Sequence, residues 1–478
     1  MGTAVSIAAC SSCLAVGGLV GALLARRFRK SNAASVFRLL RNHFAPTPLA
    51  TVVVTEREFP ARVRADLKRS LDQIFGQRAA IKRVTGIRQE DSTFFGMRLT
   101  ELLTQETNAS SVPLEHEEVD IGEDEPVRCI RNGLWLLEAA GAKIAVLQSQ
   151  VPGLRDSPKV RFDIAAENNP AGIEFTRDFF KALEVAVKQA ESYRGKILSL
   201  ENTEGYTGES SGITVHKLPG VKRDEVVLPE KTLDLLERNV VRFVAQRKAL
   251  ARFGQSTKKG LLFYGPPGNG KTHTIRYLMT ELKGHTTLLI TAEQVVRLAE
   301  YMALARLLQP TIVVIEDVDL VGRNRSFAAG PCQESLLNQL LNEMDGLKDD
   351  TETIFLLTTN RPEELEEALA SRPGRVDQVI EFPAPDAAGR EKLVRLYSKS
   401  LAVSESLVAM IVDRTDGVSA SFIKELMRRS LQFRLERNAG EQIELQDVED
   451  ALNELVTAGG RLNKRALGFS VDGNRQCC

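Results

Sequence analysis

The chain carries no surplus of charge of either sign: 63 Lys and Arg stand against 63 Asp and Glu, a formal net charge of +0. A basic excess is the electrostatic footprint of a nucleic-acid binder, so a nucleic-acid partner is not expected. Cysteine is scarce. Cys10, Cys13, Cys129, Cys332, Cys477 and Cys478 fall into neither a metal-ligand spacing nor a disulfide framework, which fits a reducing compartment. No internal repeat recurs, and no His-Glu-x-x-His occurs, which sets aside a zinc-protease centre within these residues. Glu101–Glu125 lacks Lys and Arg altogether, whereas residues 26–88 are rich in both; solvated charged faces account for these biases. What remains is ordinary globular material. At 43 % hydrophobic and 26 % charged over 478 residues, there is enough for roughly two to four domains with buried cores.

Thr3–Ala25 is a run of small and apolar residues without a charge, closed by Arg26-Arg27-Phe28-Arg29-Lys30. About 20 such residues, rising 1.5 Å each in a helix, span a bilayer core. The chain opens with Met-Gly-Thr rather than the basic residues of a secretory signal, and the basic cluster follows the run. The expectation is an N-terminal hydrophobic helix, residues 1–30, anchoring the protein in a membrane with everything downstream on the cytoplasmic, ATP-containing side. A cleaved presequence, or a buried helix in a soluble cytoplasmic protein, are the alternatives. Gly17-xxx-Gly21, the myristoylation-like Met1-Gly2-xxx-Ser6 and the terminal Cys477-Cys478 are weak patterns that read as coincidence.

A basic linker, 31–49, leads to an α+β domain, 50–200. Helical spacing marks Arg62–Phe75, and strands are expected at Gly133–Leu137, Lys143–Leu147 and the alternating Val160–Ile164. A strong helix follows between Phe175 and Arg194, stopped by Gly195, and then a strand, Lys196–Leu200. Nothing in this domain has the look of a catalytic constellation. A polar linker, 201–225, precedes the second half.

There the strand Lys259–Tyr264 runs into Gly265-Pro266-Pro267-Gly268-Asn269-Gly270-Lys271-Thr272, and a helical pattern follows through Ile275, Leu278, Met279 and Leu282. Strand, glycine loop and helix in that order make a phosphate-binding loop. Glycines let several backbone N–H groups converge on a polyphosphate, and the helix N-terminus adds its dipole. Lys271 is then expected to neutralise the β- and γ-phosphates of ATP, and Thr272 to hold Mg²⁺. A second apolar strand, Ile312–Ile315, ends in Glu316-Asp317-Val318-Asp319. Carboxylates at that edge lie where α/β sheets bind ligands, so Glu316 is expected at the Mg²⁺ water shell and Asp317 at the attacking water. A third strand, Thr353–Leu357, ends in Thr358-Thr359-Asn360, whose amide can position that water. Arg372 and Arg375 have no local carboxylate partner, which suits transferred phosphoryl charge as well as it suits a plain basic turn.

In this order the residues resemble the AAA ATPase family, over roughly Val226 to Leu455. The resemblance rests on GPPGNGKT, the apolar strand with its acidic end, TTNRP, SRPGRVDQVIEFPAPD and TDGVSASFIKELMRRS. It implies a doubly wound parallel α/β sheet at 226–385, a helical lid at 386–458 and a tail at 459–478. It also implies Asn360 as the sensor of the γ-phosphate, Arg372 and Arg375 as fingers reaching a neighbour's ATP, and Ser419 and Ala420 near the adenine. The expected assembly is a homo-oligomer, a hexameric ring, remodelling or translocating a protein. Two departures stand out. The family shows Asp-Glu where this chain has Glu316-Asp317, and its aromatic pore loop has only the echo Tyr301-Met302. With an N-terminal anchor, these features are similar to the mitochondrial Rieske-protein translocase branch. The rival functions are a nucleic-acid remodelling ATPase, on the strength of residues 26–88, and an ATP-binding scaffold that does not hydrolyse, on the strength of the inverted acidic pair.

Overall fold

The computed structural model describes residues 35–89, 97–104, 109–151, 158–200, 212–320, 340, 342–344, 346, 351–364, 376–398, 402–437, 440 and 442–458. The run Thr3–Ala25 lies outside them, and among the described residues no helix is long and apolar enough to cross a membrane. The expected N-terminal hydrophobic helix, residues 1–30, thus lies outside the described residues. The chain divides into two compact units, residues 1–120 with 125–192, and residues 121–124 with 193–478.

The first unit is built on a six-stranded sheet. Its strands are β1 (Val53–Pro60), β2 (Ala80–Gln89), β3 (Ala109–Val112), β6 (Gly133–Ala139), β7 (Ala142–Val151) and β8 (Lys159–Ala166). Between β3 and β6 in the chain, β4 (His116–Val119) and β5 (Val127–Ile130) form a separate hairpin. The spatial order is β1-β8-β7-β6-β2-β3, antiparallel throughout. One face packs on α1 (Val36–Phe44) and α3 (Leu99–Thr104), joining Val36, Leu40, Phe44, Leu99 and Leu102 to Leu134, Leu136 and Leu147. The other packs on α2 (Arg64–Arg78) and α4 (Pro170–Gln189) through Phe75, Trp135, Phe162 and Phe179, whose rings lie 5.7–6.1 Å apart. Offset and edge-on ring contacts of this kind add to the area they bury.

Three expectations change here. The stretch expected as a basic linker, 31–49, contains α1, whose Val36, Leu40 and Phe44 are fully buried; its basic residues occupy the opposite stripe of an amphipathic helix. α4 begins earlier than expected, where Asn169 accepts the Gly172 N–H at 2.8 Å ahead of Pro170. It also ends before Gly195, at a left-handed Ala190 (φ 42°).

Among the described residues the second unit has seven strands: β9 (Ile197–Leu200), β10 (Ile213–His216), β11 (Lys259–Tyr264), β12 (Thr286–Ile290), β13 (Thr311–Ile315), β14 (Thr353–Thr359) and β15 (Gln378–Glu381). Their order is β10-β9-β12-β13-β14-β11-β15, with every pairing parallel except β10–β9. β13 and β14 are buried at every position, which is why they read as unbroken apolar runs. Expected as the last strand of the first domain, β9 instead extends this sheet beside β12, and the expected linker 201–225 holds the edge strand β10. The helices are α5 (Glu230–Leu236), α6 (Phe243–Arg252), α7 (Lys271–Glu281), α8 (Leu298–Leu307) and, as the lid, α9 (Ala387–Tyr397), α10 (Glu405–Arg414), α11 (Ala420–Glu436) and α12 (Leu445–Asn453). The lid has its own core, with Val394, Ile411, Phe422, Leu426 and Val448 buried together.

The pore-loop echo is a core feature. Tyr301 and Met302 lie on α8 and are fully buried. The Leu200 N–H donates to Tyr301 Oη at 2.8 Å, and that hydroxyl donates to Gln294 Oε1 at 3.0 Å. Gln294 Nε2 in turn donates to Leu200 O at 2.9 Å. Tyr301 thus satisfies the end of β9.

Candidate nucleotide site

Strand register brings the site together. Tyr264 pairs with Thr359 across β11 and β14, so Gly265 and Asn360 leave the same sheet edge side by side. Ile315 pairs with Leu357, which places Glu316 and Asp317 on that edge as well. β11 lies between β14 and β15 although the chain visits β12 and β13 in between, so this edge is a point where the strand order reverses.

Two loop glycines are required by geometry. Gly265 (φ 141°) passes so near the next strand that a Cβ would stand 2.4 Å from Phe382 O. Gly268 (φ 80°) faces the lid, where a Cβ would stand 2.1 Å from Ser421 Oγ. The Ser421 N–H donates to Gly268 O at 3.0 Å, tying the first turn of α11 to the loop. Asn269, expected to face the nucleotide, is buried, and its Nδ2 donates to Phe382 O at 3.2 Å. Its side chain braces the loop.

Lys271 opens α7. Its ammonium donates to Gly265 O at 2.6 Å, Pro266 O at 3.1 Å and Asn360 Oδ1 at 2.7 Å, three neutral oxygens. Burial draws its pKa below the ordinary lysine value, and the Asp317 and Asp319 carboxylates oppose that shift. Thr272 Oγ1 donates to Glu316 Oε1 at 2.6 Å. Asp317 stands in a left-handed conformation (φ 50°), its N–H donating to Thr358 Oγ1 at 2.9 Å. Asn360 Nδ2 donates to Asp317 Oδ1 at 2.9 Å. Lysine, amide and carboxylate therefore form one chain across the sheet edge.

These contacts fit a magnesium nucleotide. A hydroxyl and a carboxylate converge as hard oxygen donors at Thr272 and Glu316, and a buried ammonium beside them meets neutral oxygens in its three side-chain bonds. The cleft measures about 380 Å³ and draws on Val226–Leu228, the loop, and Tyr397, Ala420, Ser421 and Lys424 of the lid. Ala420 lines it as expected. Ser419, expected beside it, is buried as the N-cap of α11, accepting the Phe422 N–H at 3.2 Å. Arg372 and Arg375 lie outside the described residues. A larger groove, about 470 Å³, runs between α2 and α4 of the first unit, but it has no glycine loop or strand-end carboxylate, so chemistry favours the smaller cleft. The residue that sequence reasoning passed over is Asp319. It is buried and accepts from Thr359 Oγ1 at 2.9 Å; only its place two residues past Asp317 hinted at this.

Comparison with known proteins agrees. Residues 261–384 match the family described as "ATPase family associated with various cellular activities (AAA)". The chain is 31 % identical over 282 residues to the ATP-dependent zinc metalloprotease FtsH of Thermotoga maritima, covering 56 % of this chain and 46 % of that protein. It is 36 % identical over 219 residues to FtsH 2 of Symbiobacterium thermophilum, covering 43 % and 37 %. It is 31 % identical over 231 residues to FtsH of Thermus thermophilus, covering 46 % and 37 %. The chain thus spans less than half the length of these relatives. With loop, acidic strand end and amide on one sheet edge, and with these matches, the chain carries an AAA ATPase domain homologous to that of the FtsH proteins.

Proposed function

We propose that this protein is an ATP-hydrolysing AAA motor, a Mg²⁺-dependent ATPase working as a homo-oligomeric, hexameric ring on a protein substrate that it remodels or translocates. The observation that carries the reading is the contact of Thr272 with Glu316 at 2.6 Å, set beside the chain Lys271–Asn360–Asp317. Thr272 and Glu316 are the residues that would hold Mg²⁺, which would supply positive charge to the phosphates. Lys271 neutralises the same phosphates. Asn360 orients the attacking water, and Asp317 accepts a proton from it as its oxygen bonds to the γ-phosphorus and the bond to the departing ADP breaks. Arg372 and Arg375 stabilise the transferred charge from a neighbouring subunit.

Aspartate is one methylene shorter than the glutamate usual at this position. Its left-handed backbone (φ 50°) and its bond to Asn360 are the two features that aim it. The expected result is slow but real turnover. Steady-state phosphate release by the full chain tests it against Asp317→Asn, which removes the proton acceptor and is expected to cost about 10²–10⁴-fold while ATP still binds. Equal rates for the two proteins would give the decision to the non-hydrolysing scaffold.

A further inference from the structure

We propose that Asp319 is a positioning residue for ATP hydrolysis, acting through Asn360; this rests on the ATPase reading above. Asp319 lies in the short turn Val318–Leu320 that follows the acidic end of β13, and only 4 % of it is exposed. One oxygen, Oδ1, accepts two hydrogen bonds from the neighbouring strand end: Thr359 Oγ1 donates at 2.9 Å and the Asn360 N–H at 3.2 Å. Thr359 Oγ1 also accepts the Arg361 N–H at 2.9 Å. The backbone on either side of Asn360 is thereby tied to one buried carboxylate.

That anchoring matters because the Asn360 amide has two partners to satisfy at once. Its Oδ1 accepts from Lys271 Nζ at 2.7 Å, and its Nδ2 donates to Asp317 Oδ1 at 2.9 Å. A side chain that spans the phosphate-binding lysine and the proton acceptor cannot drift by an ångström without losing one of them, and displacements of that size are costly in catalysis. These bonds of Asp319 run to Thr359 and to the Asn360 backbone. Its effect is on where the amide stands, so it should govern turnover rather than nucleotide affinity.

A second route from Asp319 to the site is its charge, which helps hold Lys271 in the ammonium form. Two variants separate the routes. Asp319→Asn keeps a side-chain carbonyl that can accept both bonds but loses the charge, whereas Asp319→Ala loses both. Steady-state phosphate release and equilibrium ATP binding, measured on the full chain, are the readouts. Asp319→Ala is expected to lower kcat on the order of 10²-fold, with the ATP dissociation constant changed by no more than about threefold. Asp319→Asn is expected to recover most of that loss.

Unchanged kcat in Asp319→Ala overturns the proposal. So does an Asp319→Asn as slow as Asp319→Ala, which would assign the effect to charge, and so does a loss confined to ATP affinity. If Asp319→Ala does not fold, Thr359→Val removes one of the two donors while leaving the carboxylate, and it carries the same expectation at about fivefold. A wild-type protein that binds ATP and releases no phosphate would sink the ATPase reading itself. Normal wild-type turnover with an indifferent Asp319 would sink this inference alone.

Discussion

Gly268 sits where two demands meet. Its φ of 80° is a conformation in which an L-residue places Cβ against its own chain, at about 1–2 kcal/mol. The same Cβ would also stand 2.1 Å from Ser421 Oγ and 3.0 Å from Ser421 Cβ. Gly268→Ala therefore strains the loop and pushes α11 away from it, and ATP affinity is expected to fall on the order of tenfold. Adding Ser421→Ala removes the nearer obstacle and should restore part of that loss, leaving the backbone share. Calorimetric titration of the single and double variants with ATP measures the two parts. A Gly268→Ala protein that binds ATP as wild type does would show that the lid does not close on the loop in this way. Asp317 shows the same left-handed geometry tolerated by a residue with a side chain, since aspartate accepts it more readily than most.

Among the elements, β8 shows how a strand pattern can mislead. Val160, Phe162 and Ile164 alternate with Arg161 and Asp163, the signature of a sheet with one wet face, yet Arg161 and Asp163 are 4 % and 1 % exposed. Arg161 is covered while paired with Glu58 at 2.6 Å, and Asp163 Oδ2 accepts the Leu99 N–H at 2.7 Å, capping α3 from another element. Burial pushes the Asp163 carboxyl up to about 6 from an ordinary 3.8; Glu56 adds to the rise, and the Leu99 N–H, Arg161 and Arg98 oppose it. The folded unit therefore holds this proton more tightly than the unfolded chain does. Its contribution to stability is present in full below pH 3.8 and is lost as pH rises through about 6. The amount is on the order of 2–3 kcal/mol. Asp163→Asn keeps an acceptor for Leu99 and cannot ionise. Chemical unfolding should show the wild type losing stability relative to this variant between those pH values, and parallel curves would refute the linkage.

For the whole molecule, the open matter is assembly. The proposed site takes its loop, metal-holding pair and sensor from one chain, and its transferred-charge stabiliser from Arg372 and Arg375 of a neighbour. Arg375→Ala is expected to bind ATP and to lose turnover on the order of 10³-fold or more, the range of arginine fingers. Lys271→Ala subunits lack the phosphate contact and keep their arginines. Mixing the two inactive proteins should therefore return measurable phosphate release. Full turnover by wild type diluted to monomer, or no recovery in the mixture, would place the arginines elsewhere.

The sequence by itself determined the chemistry of the second unit, because that chemistry is local. Gly265–Thr272 is legible from its own glycines, the strand before it and the helix after it; β13 and β14 declare themselves because strands covered on both faces read as near-continuous apolar runs. The lid helices show for a similar reason, each presenting one apolar stripe to a common core. Tertiary structure alone decided what depends on pairing between distant segments. β9 joined the second sheet because its neighbour, β12, lies about ninety residues away in the chain, beyond any periodicity. Tyr301, in the sequence only an echo of a pore loop, became the support of Leu200. Asp319 became the anchor of Asn360 across 41 residues of chain. A hydrogen bond between such positions leaves no spacing to read, so these three roles emerge only once register has set the strands side by side.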